Sequence, residues 1–171
     1  MHKFYHADRN SSLLEGQNIR LDKNGLSKFG AEYWPMISQR NIDSMNETQL
    51  REFYLEEIRK EKIFANYASR LQSMFDANSI QEAIWFAELI IPVPKKPIPI
   101  IEIYADRFWS LDMNWLDYKC DQKQSIAYYR NYWYAEISNH SPEQGERKPP
   151  KIEVLIALPA KAGNIVHYVN S

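Results

Sequence analysis

Apolar residues recur along this chain at two periods, and the period separates its helices from its strands. Leu50, Phe53, Tyr54 and Ile58 stand three and four residues apart, on one face of a helix. Ser44 and Glu47 have the spacing of a capping box at its start, and Glu47-Arg51 and Glu56-Lys60 read as i,i+4 ion pairs on its outer face. Ser79 and Glu82 predict a second start, followed by Ile80, Ala83, Ile84, Ala87 and Leu89 as the apolar face. Asp121 and Gln124 predict a third, with Ile126, Tyr129, Arg130 and Trp133 along one side. Short apolar or alternating runs at residues 4–7, 71–75, 98–104, 152–158 and 165–169 predict strands, and 17–21 a further short one.

Between these runs the punctuation is equally informative. Ser12 and Glu15 are spaced for a single capped helical turn that Gly16 ends. Gly25, Gly30 and Pro35 interrupt residues 22–43, which predicts a long loop of the kind that carries function. Pro92, Pro94, Pro97 and Pro99 form an extended connector into the strand at 98–104. Residues 138–150 are polar, with Gly145 and three prolines, and predict an exposed loop. Strands and helices do not alternate as βαβ units, so a doubly wound parallel sheet is not expected. The expected fold class is α+β, a single domain over residues 1–171 with its sheet split into two halves.

Composition narrows the classes of function. Aromatic residues make up 13% of the chain, which predicts an aromatic-rich core with polar tips needing partners, or a cleft that stacks a flat ligand. A net charge of −1 gives no overall footprint for nucleic acid. The single Cys120 excludes an intramolecular disulfide and an all-Cys zinc site, and no metal is expected. No secretory h-region or membrane-length apolar run is present, so a cytoplasmic location is expected, with a type III or type IV secreted effector giving the same pattern. P-loop, GxGxxG, GxSxG and HExxH signatures are absent.

Three segments carry chemistry in combination. His6 closes the first predicted strand and is followed by Leu13-Leu14, Gly16 and Ile19. Residues 68–75 place Arg70, Ser73 and Phe75 on and before a strand that runs into the Ser79-capped helix. Glu153 interrupts the apolar strand at 152–158, directly after the Pro/Gly loop. An acid in such a strand is costly unless it is paired, functional or turned to solvent. Together these segments resemble the ADP-ribosyltransferase superfamily, in particular the DarT-like DNA ADP-ribosylating toxins and small bacterial proteins of the same fold. The resemblance covers the first twenty residues, a stretch around 68–87 and the last twenty.

That resemblance implies a split-sheet fold with NAD as substrate, and His6 on an adenosine ribose hydroxyl. It also implies Ser73 and Phe75 near the nicotinamide, Arg70 toward the pyrophosphate, Arg9 as a further cofactor-binding residue, and Glu153 as the catalytic acid. Many members carry a Tyr in the middle of the site, where this chain offers Ser73 and Phe75. Lys151 stands two residues before Glu153, which by analogy disfavours transfer to an arginine side chain. Glu136, after Tyr132-Trp133-Tyr134, is a rival acid. The chemistry suits a carboxylate: it accepts a hydrogen bond from the ribose and stabilises positive charge as nicotinamide leaves. The expected function is mono-ADP-ribosyl transfer by a toxin or phage-defence effector. Its acceptor would be a nucleic acid or protein, and a cognate antitoxin a further partner. The alternative is a non-catalytic binding module, immunity or adaptor protein, on the same fold.

Overall fold

A computed structural model describes residues 1–138 and 149–170. Within them the chain forms an α+β domain with two antiparallel sheets and five helices. The first sheet has the order β1 (His2–Ala7), β4 (Ile98–Ala105), β7 (Ala160–Val169) and β2 (Asn18–Ile19). The second has the order β3 (Ser73–Asp76), β6 (Ile152–Ala157) and β5 (Phe108–Asp112). Register shifts between β4 and β7 at Ile100/Ile101 and Ile101/Ile103 curl the first sheet. Among the described residues the sheets are stitched where Tyr5 and Ala77 exchange backbone hydrogen bonds of 3.0 and 2.8 Å. His6 and Asp76 flank that stitch.

Side-chain alternation on β6 decides which layer each residue joins. Val154 and Ile156 pack with Phe4, Ile101 and Ile103 of the first sheet. Leu155 turns the other way, into a core with Leu55, Ile58, Tyr132 and Trp133. Those four come from α2 (Glu47–Arg59) and α5 (Gln122–Trp133), so β6 is buried on both faces. Glu153 is therefore 3% exposed. A third core places Ala83 and Ala87 of α3 (Ile80–Glu88) against Ile98 and Ile100.

Two of the predicted helix starts hold: Ser79 and Asp121 accept from the backbone N–H groups of Glu82 and Gln124. Four expectations fail for identifiable reasons. The loop at 22–43 contains α1 (Lys28–Ile37), capped by Ser27, with Pro35 inside it. Gly30 is there for contact: a Cβ built on it would lie 1.9 Å from the Leu71 carbonyl oxygen. The cap of α2 is Asn46, reciprocating with Gln49, and Ser44 ends a preceding 3₁₀ turn instead. Glu56 faces inward to Arg59 and Ser69, not outward to Lys60. Finally, residues 12–15 form no helical turn, because the Asp8 carboxylate takes the backbone N–H groups of Ser12 and Leu13 and the Ser12 hydroxyl as well. Within the segment 105–121, which carried no expected element, the chain forms β5 and the short α4 (Asn114–Asp117). Most of the polar loop expected at 138–150 lies outside the described residues. Among the described residues no helix is long and apolar enough to cross a membrane.

Candidate functional site

The seam between the two sheets holds two adjoining cavities. One, of about 200 Å³, is lined mainly by apolar groups including Tyr5, Phe86, Ile90 and Met113, with Asp76 and Glu153 on its wall. The other, of about 310 Å³, has a more polar rim that includes His6, Arg9, Asn10, Ser12 and Lys28. Ala7 and Phe75 line both, so one aromatic ring and one small residue divide them. Together they reach the volume of small-molecule sites, which are concave, largely apolar and furnished with a few convergent polar groups.

His6 is placed by β1 and anchored by β3. Its Nδ1 lies 2.7 Å from Asp76 Oδ1 and 3.1 Å from the Phe75 carbonyl oxygen. The Asp76 side chain has no solvent exposure, and its Oδ2 has no hydrogen-bond partner among the described residues. Burial disfavours a charged His6 ring, but the Asp76 charge and the hydrogen bonds His6 donates to Asp76 and Phe75 outweigh it and raise the His6 pKa above its ordinary 6.5. Burial pushes the Asp76 carboxyl up in turn, and His6 holds it back.

Glu153 belongs to a buried network on the helical side of β6. Arg70 sits at a 3₁₀ turn just before β3 and donates through Nη1 to Glu153 Oε1 at 2.6 Å. Its Nε and Nη2 form a fork on Glu52, at 2.9 and 3.0 Å. The Tyr132 hydroxyl accepts from Arg70 Nη1 at 2.6 Å and donates to the same Glu153 oxygen at 2.6 Å. Burial lifts the Tyr132 phenol well above its ordinary 10, so it remains a donor. Burial also opposes the Arg70 charge, but Glu52, Tyr132 and Glu153 overcome it and hold the guanidinium protonated. The guanidinium stacks 4.5 Å from the Phe75 ring centroid, which links this network to the dividing wall of the cavities.

Arg70 is shared by two carboxylates, and Glu52 has a second cation in Arg51 at 3.3 Å, so the two acids and two guanidiniums balance in formal charge. Among the described residues every hydrogen bond of the Glu153 carboxylate is made at Oε1. The residue lines the smaller cavity. The arrangement is thus an oriented, buried carboxylate beside an apolar chamber, suited to accepting a hydrogen bond and to opposing positive charge that develops there.

Of the expected site residues, His6, Arg9, Ser73 and Phe75 line the larger cavity, and Phe75 and Glu153 the smaller. Ser73 is fully buried and its hydroxyl donates to the Ser69 carbonyl at 2.7 Å, a bond that ties off the turn before β3. Arg70 is 5% exposed, lines neither cavity, and has every guanidinium nitrogen engaged by Glu52, Glu153 or Tyr132. Arg9 and Lys28 are the cations that line the larger cavity instead. Glu136 is exposed in the turn after α5 and lines neither chamber.

Three members of the site escaped sequence reasoning. Glu52 precedes Leu55 and Glu56 by three and four residues, a spacing that assigns it to the buried face of α2 once Leu55 is recognised as core. Tyr132 follows Tyr129 by three residues on α5, but it reads as one more core aromatic. Asp76 closes β3 as an unremarkable acid before a turn, and only its burial reveals a role. No protein family and no curated protein matches this chain.

Proposed function

We propose that this protein is an NAD-dependent mono-ADP-ribosyltransferase on an ADP-ribosyltransferase-like split sheet. It would act as a toxin or phage-defence effector on a nucleic acid or protein acceptor. The observation that carries the reading is the convergence of His6 and Glu153, from opposite ends of the chain, on two cavities that share the Phe75 ring. In this reading the nicotinamide ring occupies the apolar chamber beside Phe75 and Phe86. His6 meets a ribose hydroxyl in the larger one, and Arg9 and Lys28 face the phosphates. Glu153 accepts a hydrogen bond from the reacting ribose and stabilises positive charge as the bond to nicotinamide breaks. Tyr132 and Arg70 fix the carboxylate, and Arg70 is shared between it and Glu52.

The contact of 2.6 Å between Arg70 and Glu153 favours a second reading, a non-catalytic binding module. A cation that close to the acid reduces its capacity to stabilise another positive charge. Incubation with NAD and measurement of free nicotinamide separates the two. The first reading expects turnover in the wild-type protein and its loss in Glu153→Gln. That variant should melt as one cooperative unit, since Arg70 keeps its fork on Glu52. No NAD cleavage by the wild-type protein, with or without added acceptor, rejects the first reading.

A further inference from the structure

The His6 ring has its two contacts on the same nitrogen. Both neighbours of Nδ1, the Phe75 carbonyl at 3.1 Å and Asp76 Oδ1 at 2.7 Å, are acceptors. A carbonyl oxygen cannot donate, so a lone pair on Nδ1 would face the Phe75 oxygen without compensation, and the proton belongs on Nδ1. Asp76 is buried completely, with Oδ2 unpartnered among the described residues. A buried carboxylate so placed is costly unless a cation neutralises it. The His6 side chain is 24% exposed while Asp76 is sealed, so the ring edge away from Nδ1 is the one that faces the larger cavity.

We propose that Asp76 is the positioning residue of this site, fixing a proton on His6 Nδ1 and matching its charge so that Nε2–H points into the larger cavity as a donor to a ligand oxygen. The ligand class is a molecule carrying sugar hydroxyls and phosphates; its identity as NAD or ADP-ribose rests on the function proposed above, whereas the role of Asp76 does not. Other charged groups facing the same chamber are Asp8 and Arg9 after β1, and Lys28 and Glu32 on α1. Asp8 already has its carboxylate occupied by the Ser12 and Leu13 backbone. Of the groups facing this chamber, His6 is the one in direct contact with the Asp76 carboxylate, at 2.7 Å.

Two measurements on the free protein test this before any ligand is added. ¹⁵N imidazole shifts of the neutral His6 ring should show the proton on Nδ1, and the ring should titrate above the ordinary histidine range. In Asp76→Asn, which keeps the side-chain shape, the His6 titration should move to lower pH. Asp76→Asn need not fold for the first measurement to decide, since that one uses the wild-type protein. A neutral ring protonated on Nε2, or an unmoved titration in a folded Asp76→Asn, overturns the proposal. Calorimetry with ADP-ribose then reads the consequence. Affinity should fall about tenfold as pH rises through the His6 titration, the loss expected for a charge-assisted hydrogen bond. The fall should follow the shifted titration in Asp76→Asn, and a pH-independent affinity also overturns it. If ADP-ribose fails to bind while the NMR results hold, the function proposed above is what fails, and the role of Asp76 stands.

Discussion

Replacing Arg70 with Met tests whether the buried charge cluster holds the helical layer to β6. The substitution keeps an unbranched side chain among Phe75, Phe29 and Tyr132, whose rings now surround the guanidinium at 4.5 to 5.6 Å. It removes the cation from Glu153 altogether, and leaves Glu52 only the partner it has in Arg51 at 3.3 Å. Stranding a buried charge in this way costs about 3–5 kcal/mol. Sulfur–aromatic contacts of the new Met return about 0.3–1.5 kcal/mol, so a net loss of roughly 3 kcal/mol is expected. At about 2–4 °C per kcal/mol for a chain of this size, the melting midpoint should fall by roughly 6–12 °C. Urea unfolding at pH 7 measures the loss directly, provided the slope m is unchanged. Adding Glu153→Gln to Arg70→Met should recover about 1 kcal/mol or more, because the uncompensated carboxylate is gone. A double variant no more stable than Arg70→Met, or a single variant within about 1 kcal/mol of wild type, refutes the assignment of a strong buried pair.

Two further outcomes follow from other parts of the structure. Gly30→Ala places a methyl group 1.9 Å from the Leu71 carbonyl oxygen, and both atoms belong to rigid backbone. The chain must separate α1 from the turn before β3, with a loss of about 1–3 kcal/mol or more in urea unfolding; a neutral effect would mean α1 docks elsewhere. The raised pKa of His6 gives a pH dependence of definite sign. Its contribution to stability is complete below the unfolded value of 6.5 and is lost as pH rises through the folded value. Urea midpoints should therefore decline across that interval above pH 6.5, and His6→Gln should remove this component; a midpoint that rises with pH there contradicts the His6–Asp76 pairing.

Local pattern determined a good part of this protein. The apolar period of α2, the caps at Ser79 and Asp121, the apolar runs of β4 and β6 and the second half of β7 were all readable, because each depends on neighbours within a few residues. So were His6 at the end of β1 and Glu153 near the start of β6. Tertiary contact decided the rest. One exception is local: the turn at Ser12 was lost to the Asp8 carboxylate four residues before it, which competes for the same N–H groups. Gly30 and Pro35 read as breakers, yet α1 forms around them because Ser27 caps it and the Leu71 backbone needs a residue without a side chain. Above all, local pattern hints at Glu52 and Glu153 but does not say what pairs with them, and nothing local marks Asp76. Glu52, Asp76 and Glu153 are buried because each meets a partner distant in sequence: Arg70 for two of them and His6 for the third. Burial of a charge depends on what compensates it in three dimensions, and that is set by how β1, β3, β6 and α2 pack.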